Sequence, residues 1–236
     1  MPETTVLIPT FNNSQYIIQS LKSVINQKYR DFEVIIIDDC SDDNTEELVS
    51  ELDTRIRYFR KKTKTGIVSC LNEGLAYATG KFIARMDADD IMLGNRLLNQ
   101  VNFLNNNKEY GVVGSKYNVI SKDGEILETV STKQNDEELR LGLLFKNQFA
   151  HSSVTFRREL HSKVLKYHKK YEFVEDYALW CEFSKISKLA NLPEINLSYR
   201  IHGKNSSHEN QTVLRSNLVK LFAIVVISIV LMDYRN

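Results

Sequence analysis

Cysteine is scarce in this sequence, and its arrangement excludes two common structural devices. Three cysteines occur among 236 residues, Cys40, Cys70 and Cys181, and they are odd in number and widely spaced. A disulfide framework needs paired cysteines and a structural zinc site needs closely spaced ones, so neither is indicated. We therefore expect a reducing compartment.

Positively and negatively charged residues are nearly balanced in number. The chain has 31 Lys and Arg residues against 30 Asp and Glu residues, which leaves a formal net charge of +1. Because proteins that bind long nucleic acids usually carry a basic surplus, we expect no nucleic-acid partner. One local basic cluster is either the solvated edge of a loop or a surface that faces a diphosphate or a membrane. It consists of Arg60, Lys61, Lys62 and Lys64.

Long hydrophobic segments are also missing. The chain enters a strand-like run soon after Met1 without the charged and apolar regions of a signal peptide, so we expect a cytoplasmic location for its folded part. The run from Leu221 to Met232 is apolar but shorter than the roughly 20 residues that span a bilayer as a helix. Residues 211–236 are predicted to form an apolar helix that docks on the core, mediates a dimer or lies on the inner face of a membrane. In the last case Arg215 and Lys220 would lie near anionic headgroups.

Two glycine-rich phosphate-binding patterns are absent. No Gly-x-Gly-x-x-Gly follows a predicted strand, which disfavours a nicotinamide-dependent enzyme. A nucleotidyltransferase normally has a basic, glycine-rich loop after its first strand, and Pro9–Asn13 is not one. A nucleotidyltransferase is therefore a disfavoured alternative.

The sequence does contain an alternation of β-branched runs and amphipathic helices between Thr5 and Asp90. This alternation is typical of βαβ units and predicts an α/β fold with a mostly parallel sheet flanked by helices. The predicted strands are Val6–Ile8, Val34–Ile37, Arg55–Arg60 and Phe82–Met86. The predicted helices cover Ile17–Ile25, a segment after Asp42 or Asp43, and Ile67–Ala78 closed by Gly80.

Beyond Asp90 the pattern is less regular and predicts a smaller, mixed second half. The expected elements are a helix over Leu97–Leu104, a hairpin turn at Lys122–Glu125, a strand over Phe149–Phe156, a helix through Tyr177–Ile186 and a strand over Ile195–Ile201. We expect one domain over residues 1–210, with halves at 1–110 and 111–210, followed by the C-terminal segment.

Polar residues follow three of the predicted strands, in Pro9–Asn12, Asp38–Asp43 and Asp87–Asp90. Ligands of open parallel sheets bind at the carboxyl ends of the strands. Carboxylates gathered there repel one another unless a cation lies among them, and a hard divalent metal prefers such oxygen ligands. Each cluster alone is weak evidence, because aspartate is also a common helix cap.

Together these stretches resemble the motifs of family 2 glycosyltransferases of the GT-A fold. The resemblance rests on Val6–Asn12, Ile37–Asp43, Arg85–Asp90, Val174–Tyr177 and Tyr199–His202. It covers roughly residues 3 to 210 and is strongest to bacterial enzymes that extend lipooligosaccharide or polysaccharide chains, including β-1,3-N-acetylglucosaminyltransferases. Cys40 stands where the family usually has glycine.

The resemblance implies that residues 1–110 bind a nucleotide sugar and that residues 111–210 face the acceptor. Asp39 would meet the ring N–H of the base, and Phe11 would give it an apolar face unless it is an ordinary core aromatic. An aromatic and a carboxylate suit uracil, so the expected donor is a UDP-sugar such as UDP-GlcNAc, UDP-Gal or UDP-Glc. The implied nucleotide-sugar-binding residues are Pro9, Thr10, Phe11, Asp39, Asp87, Ala88 and Arg200.

The resemblance also implies a Mn²⁺ or Mg²⁺ site. Asp87-Ala88-Asp89 matches the Asp-x-Asp signature of the family, and Asp89 and Asp87 are implied ligands, while His202 would meet the metal or the diphosphate. Asp90 either supports the site or caps the next turn. Without the resemblance, a single histidine after a strand, such as His202, would be interpreted as an exposed surface residue with no function. The ion would neutralise the charge that grows on the leaving phosphate.

Asp176 is the implied general base, with Glu175 in support, and His151 is a candidate acceptor contact. A base at this position would allow direct displacement with inversion. Outside the family, the Glu175–Asp176 pair at a helix start would be a cap. The expected activity is sugar transfer to a glycan or lipid-linked saccharide in cell-surface polysaccharide or lipooligosaccharide synthesis. The alternative is a catalytically silent nucleotide-sugar-binding or scaffold protein of the same fold.

Overall fold

The computed structural model describes residues 1–164, 166–203, 212–213, 215–219 and 221, and nine strands of this part form one sheet. The strands are β1 (Thr4–Thr10), β2 (Phe32–Asp38), β3 (Ile56–Arg60), β4 (Phe82–Arg85), β5 (Ile91–Met92), β6 (Tyr110–Ile120), β7 (Ile126–Val130), β8 (Thr155–Arg157) and β9 (Lys188–Arg200). Their order in the sheet is β3-β2-β1-β4-β8-β6-β9-β5, with β7 paired to β6.

Seven α-helices of the described residues cover the sheet. They are α1 (Ile17–Ile25), α2 (Thr45–Val49), α3 (Ile67–Tyr77), α4 (Arg96–Asn106), α5 (Asp136–Leu143), α6 (Arg158–Val164) and α7 (Glu175–Ser184). Single 3₁₀ turns occur at His151–Ser153 and Lys169–Tyr171.

The first half of the sheet is parallel, as predicted. β1 pairs with β2 from Thr4 opposite Phe32 to Thr10 opposite Asp38, and β4 and β3 extend the ladder on either side. Every residue of β1 and β2 is buried, because successive side chains enter the packing on opposite faces of the sheet. One face packs against α3 and the other against α1.

The second half of the sheet is mixed, also as predicted. β8 lies antiparallel between β4 and β6, β6 runs parallel to β9, and β9 pairs antiparallel with β5. The hairpin turn expected at Lys122–Glu125 joins β6 to β7. The boundary expected at residue 110 falls at the first residue of β6, and the sheet continues across it through β8.

Three local predictions were wrong. Phe149–Phe156 is not one strand, because Ser153 donates its backbone N–H and hydroxyl to Ala150 O and forms a turn before β8. The helix predicted through Ile186 ends at Ser184. Gly80 does not close α3, which ends at Tyr77. Instead it packs on β1, where a Cβ would lie 2.5 Å from the backbone nitrogen of Thr5.

The described beginning of the C-terminal segment docks on the core. Residues 212–213, 215–219 and 221 are helical. Asn217 donates from Nδ2 to Glu172 O at 3.0 Å, and Leu221 is buried in the main core cluster. Most of the predicted apolar helix, including Lys220 and residues 222–236, lies outside the described residues. Within the described ranges, no helix has the length and apolar character needed to cross a membrane.

Candidate functional site

The structure brings the three predicted polar stretches to one edge of the sheet. β1, β2 and β4 are neighbours that run in the same direction, so Pro9–Asn12, Asp38–Asp43 and Asp87–Asp90 leave the sheet side by side. Asp39 N donates to Thr10 O at 2.9 Å, which fixes the first two stretches directly against each other.

Asn12 ties the first loop to the second. Its backbone has a φ of 52°, its N–H donates to Ser41 Oγ at 2.8 Å, and its Oδ1 accepts from Asp42 N at 2.9 Å. Asp43 Oδ2 accepts from Ser14 N at 2.9 Å, while Asp43 Oδ1 accepts from Thr45 N at the start of α2. The expectation that Asp42 or Asp43 caps this helix is wrong, because Asn44 occupies the N-cap position, and Asp43 instead braces the preceding loop. The bracing role of Asn12 was missed, because it depends on a contact between distant loops.

Asp38, which sequence reasoning also passed over, shapes the turn that contains Cys40. Asp38 is buried and accepts hydrogen bonds from the N–H and the hydroxyl of Ser41 and from the hydroxyl of Tyr58. Burial and this carboxylate raise the pKa of Tyr58. Cys40 takes a φ of 70°, the left-handed region that glycine adopts without strain. The structure therefore explains why glycine is usual in the family at this turn.

Asp39 and Phe11, the expected base-binding residues, directly follow the neighbouring strands β2 and β1, and their contact with a base stays a prediction. Asp39 is buried, and its carboxylate accepts from Thr65 N at 2.8 Å, Thr65 Oγ1 at 3.0 Å and Gly66 N at 2.8 Å. Phe11 is 36% exposed, which excludes the alternative of a core aromatic, and Lys64 Nζ lies 3.6 Å from its ring centroid. The edge thus offers an accessible aromatic face beside a buried carboxylate.

The basic cluster divides into two groups. Arg60 donates to Ser41 O at 2.7 Å, and Lys61 Nζ lies 2.8 Å from Ser69 Oγ and 3.1 Å from Glu73 Oε2. These two side chains therefore brace the protein itself. Lys62 and Lys64 are exposed, and Lys64 covers the ring of Phe11.

The carboxylates of Asp87, Asp89 and Asp90 form a cluster in which one oxygen from each lies within 4.8 Å of the others. Burial, followed by the charge of Asp87, raises the pKa of Asp89, and burial raises that of Asp90 well above its ordinary range. Arg85 donates from its guanidinium to Asp87 Oδ2. The cluster is rich in negative charge that a cation would stabilise.

His202 completes this cluster from the far end of the chain. Its Nε2 lies 2.8 Å from Asp89 Oδ2, and its ring stacks on Tyr16 with centroids 5.2 Å apart. Carboxylate oxygens joined by an imidazole nitrogen suit Mn²⁺ or Mg²⁺. These side chains are therefore suitable ligands for the divalent metal that the sequence implied.

Arg200 reaches the same region and is held by the protein's own oxygens. The residue is buried, and its Nε and Nη1 donate to Asp89 O and Lys122 O, each at 2.8 Å. Its Nη2 donates to Gln19 Oε1 at 2.8 Å. These bonds brace the acidic loop, and the expected contact of Arg200 with phosphate stays a prediction. Asp90 Oδ1 accepts from Arg200 N at 2.8 Å, so Asp90 supports this brace rather than capping the next turn.

Asp176 lies at the start of α7 with both carboxylate oxygens engaged. Oδ1 accepts from Tyr177 N and Oδ2 accepts from Asn147 Nδ2, each at 2.7 Å. Burial raises the pKa of Asp176 while these hydrogen bonds oppose the rise. Glu175 is buried, its Oε2 has no partner among the described residues, and burial followed by the charge of Asp176 raises its pKa to about 8. The N-cap position is Val174, which has no capping side chain, and Asp176 instead accepts from the third N–H of the helix from within its first turn.

Arg85 lies between the two acidic groups and was missed as a functional residue. It is buried, pairs with Asp87, and its positive charge lowers the pKa of both Glu175 and Asp176. Burial and Arg85 also hold the pKa of His151 well below its ordinary range, so this histidine is neutral. The sequence did contain a signal for Arg85, because a charged residue inside an otherwise apolar strand often has a functional role.

His151 is set back from the acidic groups. Its Nε2 lies 3.0 Å from the hydroxyl of buried Tyr167, and its ring packs against Trp180 with centroids 5.8 Å apart. Asn72 fixes the backbone of Tyr167 with hydrogen bonds of 2.8 and 3.0 Å. The structure thus gives His151 protein partners, and its expected contact with an acceptor stays a prediction.

Comparisons with known proteins agree with this arrangement. The model of glycosyl transferase family 2 matches residues 5–165, more than half of the chain. The chain is 34% identical over 225 residues to an uncharacterized glycosyltransferase of Haemophilus influenzae, covering 87% of this chain and 68% of that protein. It is 29% identical over 193 residues to the putative glycosyltransferase EpsE of Bacillus subtilis, covering 77% of this chain and 66% of that protein.

Solved structures share the fold. S. aureus TarS 1-349 in complex with UDP-GlcNAc superposes with a TM-score of 0.76 at 18% identity, covering 95% of this chain and 66% of that one. The mannosyltransferase PcManGT from Pyrobaculum calidifontis, in complex with GDP-Man and Mn²⁺, gives 0.72 at 20% identity, covering 95% and 64%. Several of these proteins are longer, and the chain spans 32% of an uncharacterized glycosyltransferase of Rickettsia bellii.

Proposed function

Because the chain belongs to glycosyl transferase family 2, we propose that it is an inverting, metal-dependent enzyme that moves a sugar from a UDP-sugar to a saccharide hydroxyl. The observation that carries the proposal is the convergence of three strand ends with the end of β9. This convergence brings Asp87, Asp89 and His202 together as a set of possible metal ligands.

The donor would lie along the edge formed by β1, β2 and β4. Phe11 offers an accessible aromatic face and Asp39 a buried carboxylate, which suits uracil. Thr10 adds a buried hydroxyl that has no partner within the described part of the chain. TarS and PcManGT, which share the fold, are solved with UDP-GlcNAc and with GDP-Man. We propose UDP-GlcNAc, UDP-Gal or UDP-Glc as the donor.

Asp87, Asp89 and His202 would hold Mn²⁺ or Mg²⁺, with Asp90 in support. When bound, such an ion neutralises the negative charge that develops on the leaving diphosphate. Pro9 and Ala88 belong to the same strand ends and would contact the nucleotide sugar through backbone and small side chains. Arg85 and Arg200 keep the acidic loop in place around the ion.

Asp176 would act as the general base. Its carboxylate would accept the proton of the acceptor hydroxyl while the hydroxyl oxygen attacks the anomeric carbon, and the bond to the diphosphate would break with inversion. Glu175 lies buried beside Asp176 and would influence its charge. This single displacement needs no covalent sugar–enzyme intermediate.

We propose a glycan or lipid-linked saccharide as the acceptor, in cell-surface polysaccharide or lipooligosaccharide synthesis. Residues 222–232 would then lie on the inner membrane face, near anionic lipid. Flotation with anionic and with neutral vesicles tests this part, comparing the full chain with one ending at Leu221, which keeps Asn217 and Leu221 in the core. Failure of the folded full chain to float with anionic vesicles would refute membrane contact.

The proposed activity itself is tested by incubating the full chain with a panel of nucleotide sugars and measuring UDP release with Mn²⁺, with Mg²⁺ and with EDTA. Slow, metal-dependent release without an acceptor supports an active transferase. Binding of UDP without release from any donor, even with saccharide acceptors present, would indicate a silent binding protein instead.

A further inference from the structure

Asn147 lies in the loop after α5 and contacts the proposed base directly. Its Nδ2 donates to Asp176 Oδ2 at 2.7 Å, and its Oδ1 accepts from Phe149 N at 3.1 Å. A backbone N–H can only donate, so the oxygen of the Asn147 amide must face Phe149 and its NH₂ group must face Asp176. The direction of the hydrogen bond to Asp176 is therefore fixed by the backbone of the loop.

The carboxylate of Asp176 is held from two sides. Tyr177 N donates to Oδ1 at 2.7 Å, and Asn147 donates to Oδ2 at 2.7 Å. A carboxylate oxygen can accept two hydrogen bonds, so each oxygen keeps capacity for one more donor. Rotation of the carboxylate would break both hydrogen bonds. The lone pairs that remain free on its two oxygens therefore point in fixed directions.

The loop that carries Asn147 is attached to the same helix as Asp176. Tyr177 in α7 donates from its hydroxyl to Leu143 O at 2.5 Å. At the other end of the loop, the ring of Phe149 packs against Trp180 of α7 with centroids 5.8 Å apart. Both ends of the segment 143–149 are thereby anchored to α7, and Asn147 keeps its position relative to Asp176.

We propose that Asn147 is a positioning residue that orients the Asp176 carboxylate towards the acceptor hydroxyl. The inference rests on the proposed function, in which Asp176 is the base. Asn147 itself contacts no reacting atom in this scheme and acts only through Asp176.

The charged and titratable groups that interact with Asp176 are Arg85 at the end of β4, Asp87 in the acidic loop that follows it, Glu175 and Cys181 from α7, and Tyr167. Arg85 and the hydrogen bonds from Asn147 and Tyr177 lower the pKa of Asp176, against its burial and the charge of Asp87. Loss of the Asn147 donor therefore raises the pKa of Asp176. The acidic limb of the pH–rate profile should move to higher pH.

Two substitutions of Asn147 distinguish an effect on the orientation of the Asp176 carboxylate from an effect on folding. Asn147→Ala removes both hydrogen bonds, whereas Asn147→Asp keeps an oxygen that can accept from Phe149 N and replaces the donor with a second carboxylate. We expect both variants to lower kcat about 10-fold or more and to shift the acidic limb upward, with UDP affinity within about two-fold of wild type. Lys146→Ala, an exposed neighbour, should change none of these quantities.

A double-mutant cycle with Asp176→Asn gives the decisive measurement. If Asn147 acts through Asp176, adding Asn147→Ala to Asp176→Asn should lower the residual rate by less than about two-fold. An equal loss in both backgrounds, or an unshifted pH profile in folded Asn147→Asp, would overturn the inference. If Asp176→Asn alone retains full turnover, the assignment of the base in the proposed function fails instead.

Discussion

His202 Nε2 lies 2.8 Å from Asp89 Oδ2, although the two residues are 113 positions apart. The contact follows from the register of the short strand β5, in which Ile91 lies opposite Ser198 of β9. Asp89 precedes β5 and His202 follows β9, so this antiparallel pairing brings their side chains together. A two-residue strand therefore determines the geometry of the proposed metal site.

Binding of UDP should depend on a divalent cation. The charges of Asp87, Asp89 and the diphosphate repel one another unless a cation lies between them. Calorimetric titration of UDP into the full chain with Mn²⁺ should give a dissociation constant at least about 10-fold lower than with EDTA, and Asp89→Ala should abolish the difference. Equal affinities with Mn²⁺ and with EDTA would exclude this role.

Replacement of Asp176 by asparagine should impair chemistry and leave donor binding intact. The amide is nearly isosteric but cannot accept the proton of the acceptor hydroxyl. We expect turnover to fall about 100-fold or more, with UDP affinity nearly unchanged. Glu182→Gln, on the exposed side of the same helix, is the matched control. NMR of the product should show inverted anomeric configuration, and a retained configuration would contradict the proposed mechanism.

The stability of the protein should depend on pH through Glu175. In the unfolded chain this side chain ionises near its ordinary pKa of 4.5, whereas burial raises its pKa to about 8 in the folded protein. Between these values the folded state holds a proton that the unfolded state has released, so the free energy of unfolding decreases as pH rises.

Glu175→Gln removes this proton difference. From about pH 5 to pH 8.5, wild type should lose on the order of 4 kcal/mol more unfolding free energy than the variant, measured by denaturant titration. Glu182→Gln should follow wild type, since that carboxylate lies on the exposed side of α7. Parallel pH profiles for wild type and Glu175→Gln would show that the buried carboxyl ionises normally.

Cys40→Gly should stabilise the protein despite the loss of a side chain. Cys40 has a φ of 70°, a conformation that costs a residue with a Cβ about 1 kcal/mol relative to glycine. Part of the gain is offset by the greater freedom of glycine in the unfolded chain. Cys40→Ala removes the thiol and keeps the strain, so the difference between the two variants isolates the backbone effect. A glycine variant that unfolds at lower denaturant than the alanine variant would contradict this expectation.

The sequence predicted the first half of the fold well because its local patterns and its tertiary structure agree. β1 and β2 are rich in β-branched residues and buried throughout, as expected of strands covered on both faces, and their ends carry the polar stretches. Asp89 and His202 were paired only through resemblance to the family, since nothing local in either stretch points to the other.

The remaining features depend on contacts that no local pattern encodes. Gly80 resembled a helix terminator, yet its small size serves a close approach to Thr5. Nothing in the sequence indicated that backbone oxygens of two loops would accept hydrogen bonds from the guanidinium of Arg200. Asn147 had no recognisable motif, and its importance appears only when α5 and α7 are packed together.

The position of β8 limits how this molecule can move during turnover. β8 is hydrogen-bonded to β4 on one side and to β6 on the other, and buried Arg96 bridges Arg85 O and Ser152 O at 2.8 and 2.6 Å. A hinge between the halves would rupture these backbone ladders. Rearrangement that keeps these ladders intact is left to surface loops such as the one that carries Lys64, whose ammonium would have to leave the face of Phe11 that it covers if the proposed base stacks there.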